Sequence, residues 1–435
     1  MYRLLKLLIG IGIRLYYKEI KVKNKQFLEH DGPIIIIANH PNTLMDAWMV
    51  GQICKQPIHF MAKGTFFNSR LKRWILGSLN MIPINRSVDE KIDGVNNTDS
   101  FEACYKVLEA GKILVIFPEG NSMMERQLRV LKTGTARIAL EVEKRNSGKL
   151  NLKVIPMGLF YSKAEKFRSS VLITLEQGLF VNDYLEEYKI NASLAARKLT
   201  DKFRIHLERV IVSTESSEQE KLLEDILGIM KNSWKQQNIE GNAVHLQEIK
   251  ERMEEIQLLQ PYLLDEIQNL VNTIIWQSTK LEIKTDFLDK RFRSQRYLSQ
   301  LFLSIVFILL GLPLYVFGFI NNVIPYKLTD LLMTKLVKNI EYYAPIAVLL
   351  GLVLYPLNYC FFLWIGGQLF DLNTIGKIIY FFAMPIIGMF AFHFGLFMTN
   401  TAYKWNYIFL VMNEKEAVKE LQELKKQLAK ILFEK

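Results

Sequence analysis

Short β-branched runs alternate with longer amphipathic stretches through the first two hundred residues. The runs GPIIIIAN (32–39), IHFMA (58–62), KILVIF (112–117), LKVIPMGLFY (152–161) and SVLITLEQ (170–177) predict strands. Helical stretches are expected between them at 43–54, 67–79, 99–110 and 133–145. Alternation of this kind predicts an α/β domain over 25–212, built on a mixed, largely buried sheet flanked by helices.

The pattern then changes twice. Residues 213–290 become rich in Glu, Gln, Lys and Leu with helical periodicity, which predicts a helical linker region. Three uncharged stretches follow, Tyr297–Tyr326, Tyr342–Phe370 and Ile378–Tyr403, each longer than the roughly 20 residues a helix needs to cross a bilayer. They predict a transmembrane region over 291–403 with about three spans. Gly311 with Pro313, and Pro385 with Gly388, are candidate kinks or re-entrant points. The cluster Lys290, Arg291, Arg293 and Arg296 marks the preceding end as cytoplasmic by the positive-inside tendency. An amphipathic helix is expected over 404–435, fit for self-pairing or for a lipid surface. At the other end, apolar residues interleaved with Arg3, Lys6, Arg14 and Lys18 predict an interfacial membrane helix within 1–24, the alternative being a core-packing first helix.

Charge narrows the partners. A formal net charge of +11 over 435 residues implies an anionic partner. The basic residues gather at membrane edges instead of forming an aromatic-interleaved stripe, so membrane lipids are expected and nucleic acid is not. The three cysteines lack both metal-ligand spacing and the number for a disulfide framework, and are expected to stay reduced.

Candidate chemistry sits at the ends of the strand-like runs. In ANHPNTLMDAW (38–48), His40 follows the isoleucine strand and Asp46 falls in the first turn of the next helix, with Asn42 or Thr43 as its cap. A carboxylate beside an imidazole fixes its tautomer and stabilises the imidazolium, which is the arrangement of a general base. Arg86 ends NMIPINRS (80–87), while Glu119 and Gly120 lie in VIFPEGNS (115–122). Lys132 precedes a glycine turn and a helix start, where backbone N–H groups can cradle an anion.

In this order, the motifs NHPNTLMD, IPINR, FPEGNS and VIPMGLFY resemble those of the glycerolipid acyltransferase superfamily, which includes the glycerol-3-phosphate and 1-acyl-glycerol-3-phosphate acyltransferases. The resemblance covers roughly residues 1–210. It implies that His40 and Asp46 are catalytic, that Arg86 and Lys132 hold an acceptor phosphate, and that Glu119 and Gly120 shape the pocket and position the acceptor. Two features depart from the common pattern. Five residues separate His40 from Asp46 where most members have four, a spacing shared with a branch that includes fungal glycerol-3-phosphate acyltransferases. Asn121 and Ser122 replace the usual threonine and arginine.

The expected function is a membrane-bound O-acyltransferase of phospholipid biosynthesis with its catalytic domain on the cytoplasmic side. It would move a fatty acyl chain from acyl-CoA or acyl-carrier protein to lysophosphatidate, with no metal and no cofactor beyond that co-substrate. Glycerol-3-phosphate and a lyso-aminolipid are the alternative acceptors. A transporter or scaffold with an inactive head is the alternative of another class. Oligomeric state is left open.

Overall fold

The computed structural model describes residues 2–85, 97–234, 237–289 and 294–433, the side chains of 294–298 excepted. Arg86 and the basic residues 290, 291 and 293 lie outside the described residues. The chain forms two compact units. One comprises Met1–Ser217 with Val337–Leu349, the other Glu218–Leu336 with Leu350–Lys435.

The first unit runs α1 (Tyr2–Tyr16), β1 (Glu19–Lys23), β2 (Ile34–Ala38), α2 (Leu44–Ile53), β3 (Ile58–Lys63), α3 (Arg70–Ser78), β4 (Met81–Ile84), α4 (Asn97–Glu109), β5 (Ile113–Ile116), α5 (Gly134–Arg145), β6 (Lys153–Tyr161), β7 (Ser170–Leu175), β8 (Leu179–Phe180), α6 (Leu185–Ile190) and α7 (Ala192–Glu208). Its sheet has the order β1-β7-β6-β2-β5-β3-β4, with β8 also pairing β6. All neighbours are parallel except β7 and β8, which run antiparallel to β6. The sheet is therefore mixed. Central β2 is buried at all five positions, as expected of a strand covered by helices on both faces.

Two edge strands escaped the periodicity argument. β1 and β4 are short, and β1 is only half-buried, so neither has the long apolar run of an interior strand. β1 also corrects the expected helix over 1–24. That helix ends at Tyr16, and residues 19–23 pair in register with β7. The cause is visible in the residues: EIKVK alternates and carries two β-branched side chains. α1 itself buries Ile9, Ile13 and Tyr16 while leaving Leu4, Leu8, Ile11 and Leu15 exposed along one stripe. It thus combines core packing with an uncovered apolar face.

β6 carries a proline in a central position. Pro156 sits where the outer edge of β6 changes partner, from β8 at Lys153 and Val154 to β7 at Met157. Its carbonyl accepts from the Glu176 N–H (3.0 Å) on that edge, so the missing proline N–H falls in the gap between the two partners. β6 also outruns β2. Ala38, the last residue of β2, pairs with Met157, and β6 continues for four more residues alongside β7. That overhang stands above the end of β2.

The second unit contains α8 (Ser217–Met230), α9 (Ile239–Leu259), α10 (Tyr262–Lys280), α11 (Ser294–Leu336), α12 (Tyr343–Leu369), α13 (Thr374–Asn413) and α14 (Lys415–Phe433). Three of its helices, over Ser299–Leu336, Ile340–Leu369 and Thr374–Asn413, are long and apolar enough to cross a membrane. Pro313 and Pro385 sit within continuous helices, so neither ends its span. Close approach of α11 and α13 depends on glycine: a Cβ on Gly318 would lie 2.4 Å from the Ile387 carbonyl oxygen. Polar side chains within these helices are paired across them. Asn358 donates to the Asn321 carbonyl (2.7 Å), Tyr380 to Asn321 Oδ1 (2.8 Å) and Tyr359 to Asn322 Oδ1 (2.7 Å). His393 turns back to the Met389 carbonyl of its own helix (2.8 Å). α14 buries Val418, Leu421, Leu428 and Leu432 within this unit, and Lys425 pairs with Asp289 at 2.6 Å. The region 213–290 and the tail are therefore parts of one packed unit rather than a separate linker and end.

One packing constraint is testable directly. A Cβ on Gly158 would lie 2.0 Å from the Val210 carbonyl oxygen, a backbone atom that cannot rotate away. Gly158→Ala should destabilise the first unit by about 1–3 kcal/mol, toward the upper end because the strand or the 210 turn must shift. Denaturant midpoints of the two proteins would check this, and an unchanged midpoint would contradict the packing described.

Candidate active site

Parallel strands bring their C-terminal ends to one edge, where open α/β sheets place their ligands. His40 lies two residues past β2, and Phe117 to Gly120 follow β5. His40 is held by its backbone first. Its N–H donates to Glu119 Oε1 (3.2 Å), and its carbonyl accepts from the Met123 N–H (3.0 Å). Its ring stacks on Phe117, with centroids 3.9 Å apart and planes 9° from parallel. Ring position is thereby set by two neighbouring strand ends.

His40 Nδ1 meets Asp46 Oδ2 at 2.9 Å. The imidazole is 18% exposed and the carboxylate 0%, so the pair spans from solvent to core. Because a carboxylate accepts only, the bond assigns the proton to Nδ1 and leaves a lone pair on Nε2. Asp46 accepts two further bonds, from the Asn42 N–H to Oδ2 (2.7 Å) and from the Tyr161 hydroxyl to Oδ1 (2.7 Å). Three donors satisfy a buried charge that would otherwise be costly. Burial, and then the Asp46 charge, pushes the Tyr161 hydroxyl well above its usual range. It therefore stays protonated and remains a donor.

Tyr161 reaches Asp46 because it ends the β6 overhang. The Asn39 side chain fixes that overhang, donating to the Leu159 carbonyl (3.0 Å) and accepting from its N–H (2.8 Å). Asn42 is anchored in turn, its Nδ2 donating to the Tyr17 hydroxyl and to the Ala164 carbonyl, both at 3.1 Å. The sequence reading took VIPMGLFY as the fourth motif and passed over Tyr161 and Asn42 as partners of Asp46. No sequence signal marks Tyr161, since its role depends on how far β6 projects past β2.

The expected cap of α2 differs in detail. Thr43 occupies the N-cap position but makes no side-chain cap bond, and its backbone is left-handed (φ 43°, ψ −123°). Asp46 reaches back to the Asn42 N–H in its place. A threonine at positive φ is strained. The Thr43 hydroxyl donates to the Glu341 carbonyl (3.0 Å).

Glu119 points into the protein rather than toward a ligand. Its Oε1 and Oε2 accept from the backbone N–H groups of His40 and Arg129, each at 3.2 Å. Burial raises its carboxyl above the usual range, and the two N–H donors oppose that. Gly120 adopts φ 78°, closing a turn through its N–H to the Phe117 carbonyl (3.0 Å). A Cβ there would lie 2.7 Å from Lys132 Nζ. The Lys132 backbone donates to the Pro118 carbonyl (2.8 Å), which pins the lysine beside that turn. His40, Gly120 and Lys132 line one pocket, whose other walls are mostly apolar. The structure thus brings together His40, Asp46, Glu119, Gly120 and Lys132, while Arg86 is outside the described residues.

Cys54 and Cys104 are buried outside this network, and burial pushes each thiol up to about 12. Both are therefore poor nucleophiles. The arrangement offers one imidazole nitrogen with a free lone pair, backed by a buried carboxylate, at a largely apolar pocket that Lys63 and Lys132 also line.

Comparison with known proteins adds an independent line. Residues 19–159 match the family model "Acyltransferase". The chain is similar to glycerol-3-phosphate O-acyltransferase 2 of Saccharomyces cerevisiae, with 32% identity over 114 residues, which is 26% of this chain and 15% of that protein. It thus spans under a sixth of the length of that relative. Among solved structures it is similar to a 1-acyl-sn-glycerophosphate (LPA) acyltransferase from Thermotoga maritima. That likeness has a TM-score of 0.32 and 17% identity, covering 46% of this chain and 79% of the other. Motif order and family match agree on the same stretch, so residues 19–159 are an acyltransferase domain by that match.

Proposed function

We propose that this protein is a membrane-bound O-acyltransferase that moves a fatty acyl chain from acyl-CoA or acyl-carrier protein to lysophosphatidate. The observation that carries the reading is the His40–Asp46 pair, with Nε2 left as the basic nitrogen at an apolar pocket. Nε2 takes the proton of the acceptor hydroxyl as its oxygen attacks the thioester carbonyl carbon. The imidazolium that forms is stabilised by the Asp46 carboxylate. Collapse of the tetrahedral oxyanion breaks the carbon–sulfur bond, and the departing thiolate takes the proton back from Nε2. An ester and a free thiol result, with no covalent enzyme intermediate.

Lys132 supplies positive charge for the acceptor phosphate beside the Gly120 turn, and Arg86 is assigned the same role from its motif. Glycerol-3-phosphate is the second reading, favoured by the five-residue His40–Asp46 spacing and by the similarity to the yeast enzyme. We place the catalytic domain on the cytoplasmic side, following the basic cluster before the first apolar helix. The exposed stripe of α1 then rests in the lipid interface.

His40→Ala should lower turnover by about 10² to 10⁴ while leaving membrane insertion unchanged. The assay is thiol release by purified protein, with each acceptor supplied separately and the lipid product identified by mass spectrometry. More than half of wild-type turnover in the variant would sink the mechanism.

Tyr161→Phe removes one donor to a buried carboxylate and keeps the packed ring. We expect kcat to fall about tenfold, with the KM of both substrates within about twofold, and stability to fall by about 1–3 kcal/mol because the buried carboxylate keeps only two of its three donors. A variant indistinguishable from wild type in kcat would remove Tyr161 from the mechanism.

Lys132→Met should raise the acceptor's apparent KM and leave the donor's alone. The side chain is solvent-exposed, so the loss should be about 1–2 kcal/mol, or roughly five- to thirtyfold. Equal loss with a phosphate-free acceptor would show that Lys132 does not read phosphate.

A further inference from the structure

The first unit is not continuous in sequence. Val337–Leu349, which comprises the short link after α11 and the first turns of α12, belongs to it. Ala344 and Val348, in those first turns of α12, are buried. Two neighbouring residues touch the catalytic region. The Glu341 carbonyl accepts from the Thr43 hydroxyl at 3.0 Å, and Tyr342 lines the same pocket as His40. Thr43 is the left-handed residue between His40 and Asp46, so the link braces the strained turn of the catalytic pair.

We propose that this link is a wall of the catalytic pocket and that Tyr342 is a specificity-determining residue for a fatty acyl chain. The proposal rests on the acyl-transfer reading above and extends it to a residue far outside the four motifs. The argument is the character of the pocket next to Thr43. Leu44 and Ala47 continue that wall along α2, and Phe60, Ala62 and Phe66 add to it from β3 and the turn after it. Lys63 at the end of β3, Lys132 and the polar turn at Gly120 to Ser122 also line the pocket. A half-buried tyrosine added to an apolar lining limits the length or bulk of a chain, since each methylene in such a pocket is worth about 1–3 kcal/mol of discrimination. The link has no counterpart within the stretch matched by the family model, so this selectivity belongs to the extended chain.

The chain sensed belongs either to the acyl donor or to a lyso-lipid acceptor, and two arms separate these. Full-length protein in detergent or vesicles is assayed with medium- and long-chain acyl thioesters at a fixed acceptor, and then with lyso-lipids of differing chain length at a fixed donor. Tyr342→Ala should change the ratio of kcat/KM between long and medium chains by about tenfold in one arm, and Tyr342→Phe by less than about twofold. The arm that responds names the source of the chain. If both arms keep the wild-type ratio while His40-dependent transfer persists, the wall is wrong and the acyl-transfer reading stands.

A binding measurement covers a variant too damaged to turn over. With Cys360 replaced by Ser, a Tyr342→Cys protein is labelled with a water-soluble maleimide, alone and with palmitoyl-CoA or a palmitoyl lysophosphatidate. Protection by either lipid supports the wall, and equal labelling in all three overturns it. Absence of His40-dependent transfer in the wild-type protein would sink the acyl-transfer reading, and the labelling would still decide whether a fatty chain lies against position 342.

Discussion

A buried carboxylate organises the catalytic unit. Asp46 is wholly enclosed, and its charge is affordable only because three donors converge on it, two from the turn between β2 and α2 and one from the end of β6. Each donor imposes a condition on the fold. His40 must follow β2 by two residues, the turn at Asn42 must present its N–H, and β6 must outrun β2 far enough for Tyr161 to arrive. The rest of the edge serves these conditions. Asn39 fastens the overhang, Glu119 holds the His40 backbone, and Phe117 sets the ring plane. An unpaired Asp46 would cost far more than any one of these bonds returns, so the network forms as a whole or not at all.

Much of this was legible before the fold was known, and the limits have physical causes. β2, β3, β5, β6 and β7 announce themselves because interior strands carry apolar runs bounded by turn residues. β1 and β4 do not, since an edge strand can be short and half-polar. The histidine and its acid became candidates through their place at a strand end and the order of the motifs that follow. Tyr161 did not, because its role depends on register, and a strand's sequence does not state how far it projects past its neighbour. Glu119 illustrates another limit. A carboxylate in a motif reads as facing a ligand, yet here both oxygens serve backbone N–H groups. Thr43 looked like a helix cap by residue type, but it sits at positive φ and its hydroxyl donates to the Glu341 carbonyl instead.

Domain boundaries failed for a different reason. Composition changes sharply near residue 213, and the first unit does end close by, at Ser217. Nothing in composition marks the return of Val337–Leu349, because a thirteen-residue piece of a mostly apolar region has no signature of its own. Local patterns report local environment. A segment that crosses from one compact unit to another is recorded only in which residues it meets, here Thr43 and the lining shared with His40.

That return has a consequence for how the protein is made. A ribosome that has released Ser217 has already delivered every strand of the sheet, and domains generally fold as they emerge. Yet the pocket at that moment lacks one side, and the turn at Thr43 lacks its acceptor. The missing piece follows the whole of α11, the first helix long and apolar enough to enter a bilayer. Completion of the pocket is therefore tied to the stage of synthesis at which the nascent chain meets the membrane, and a soluble, half-made head is an unfinished one.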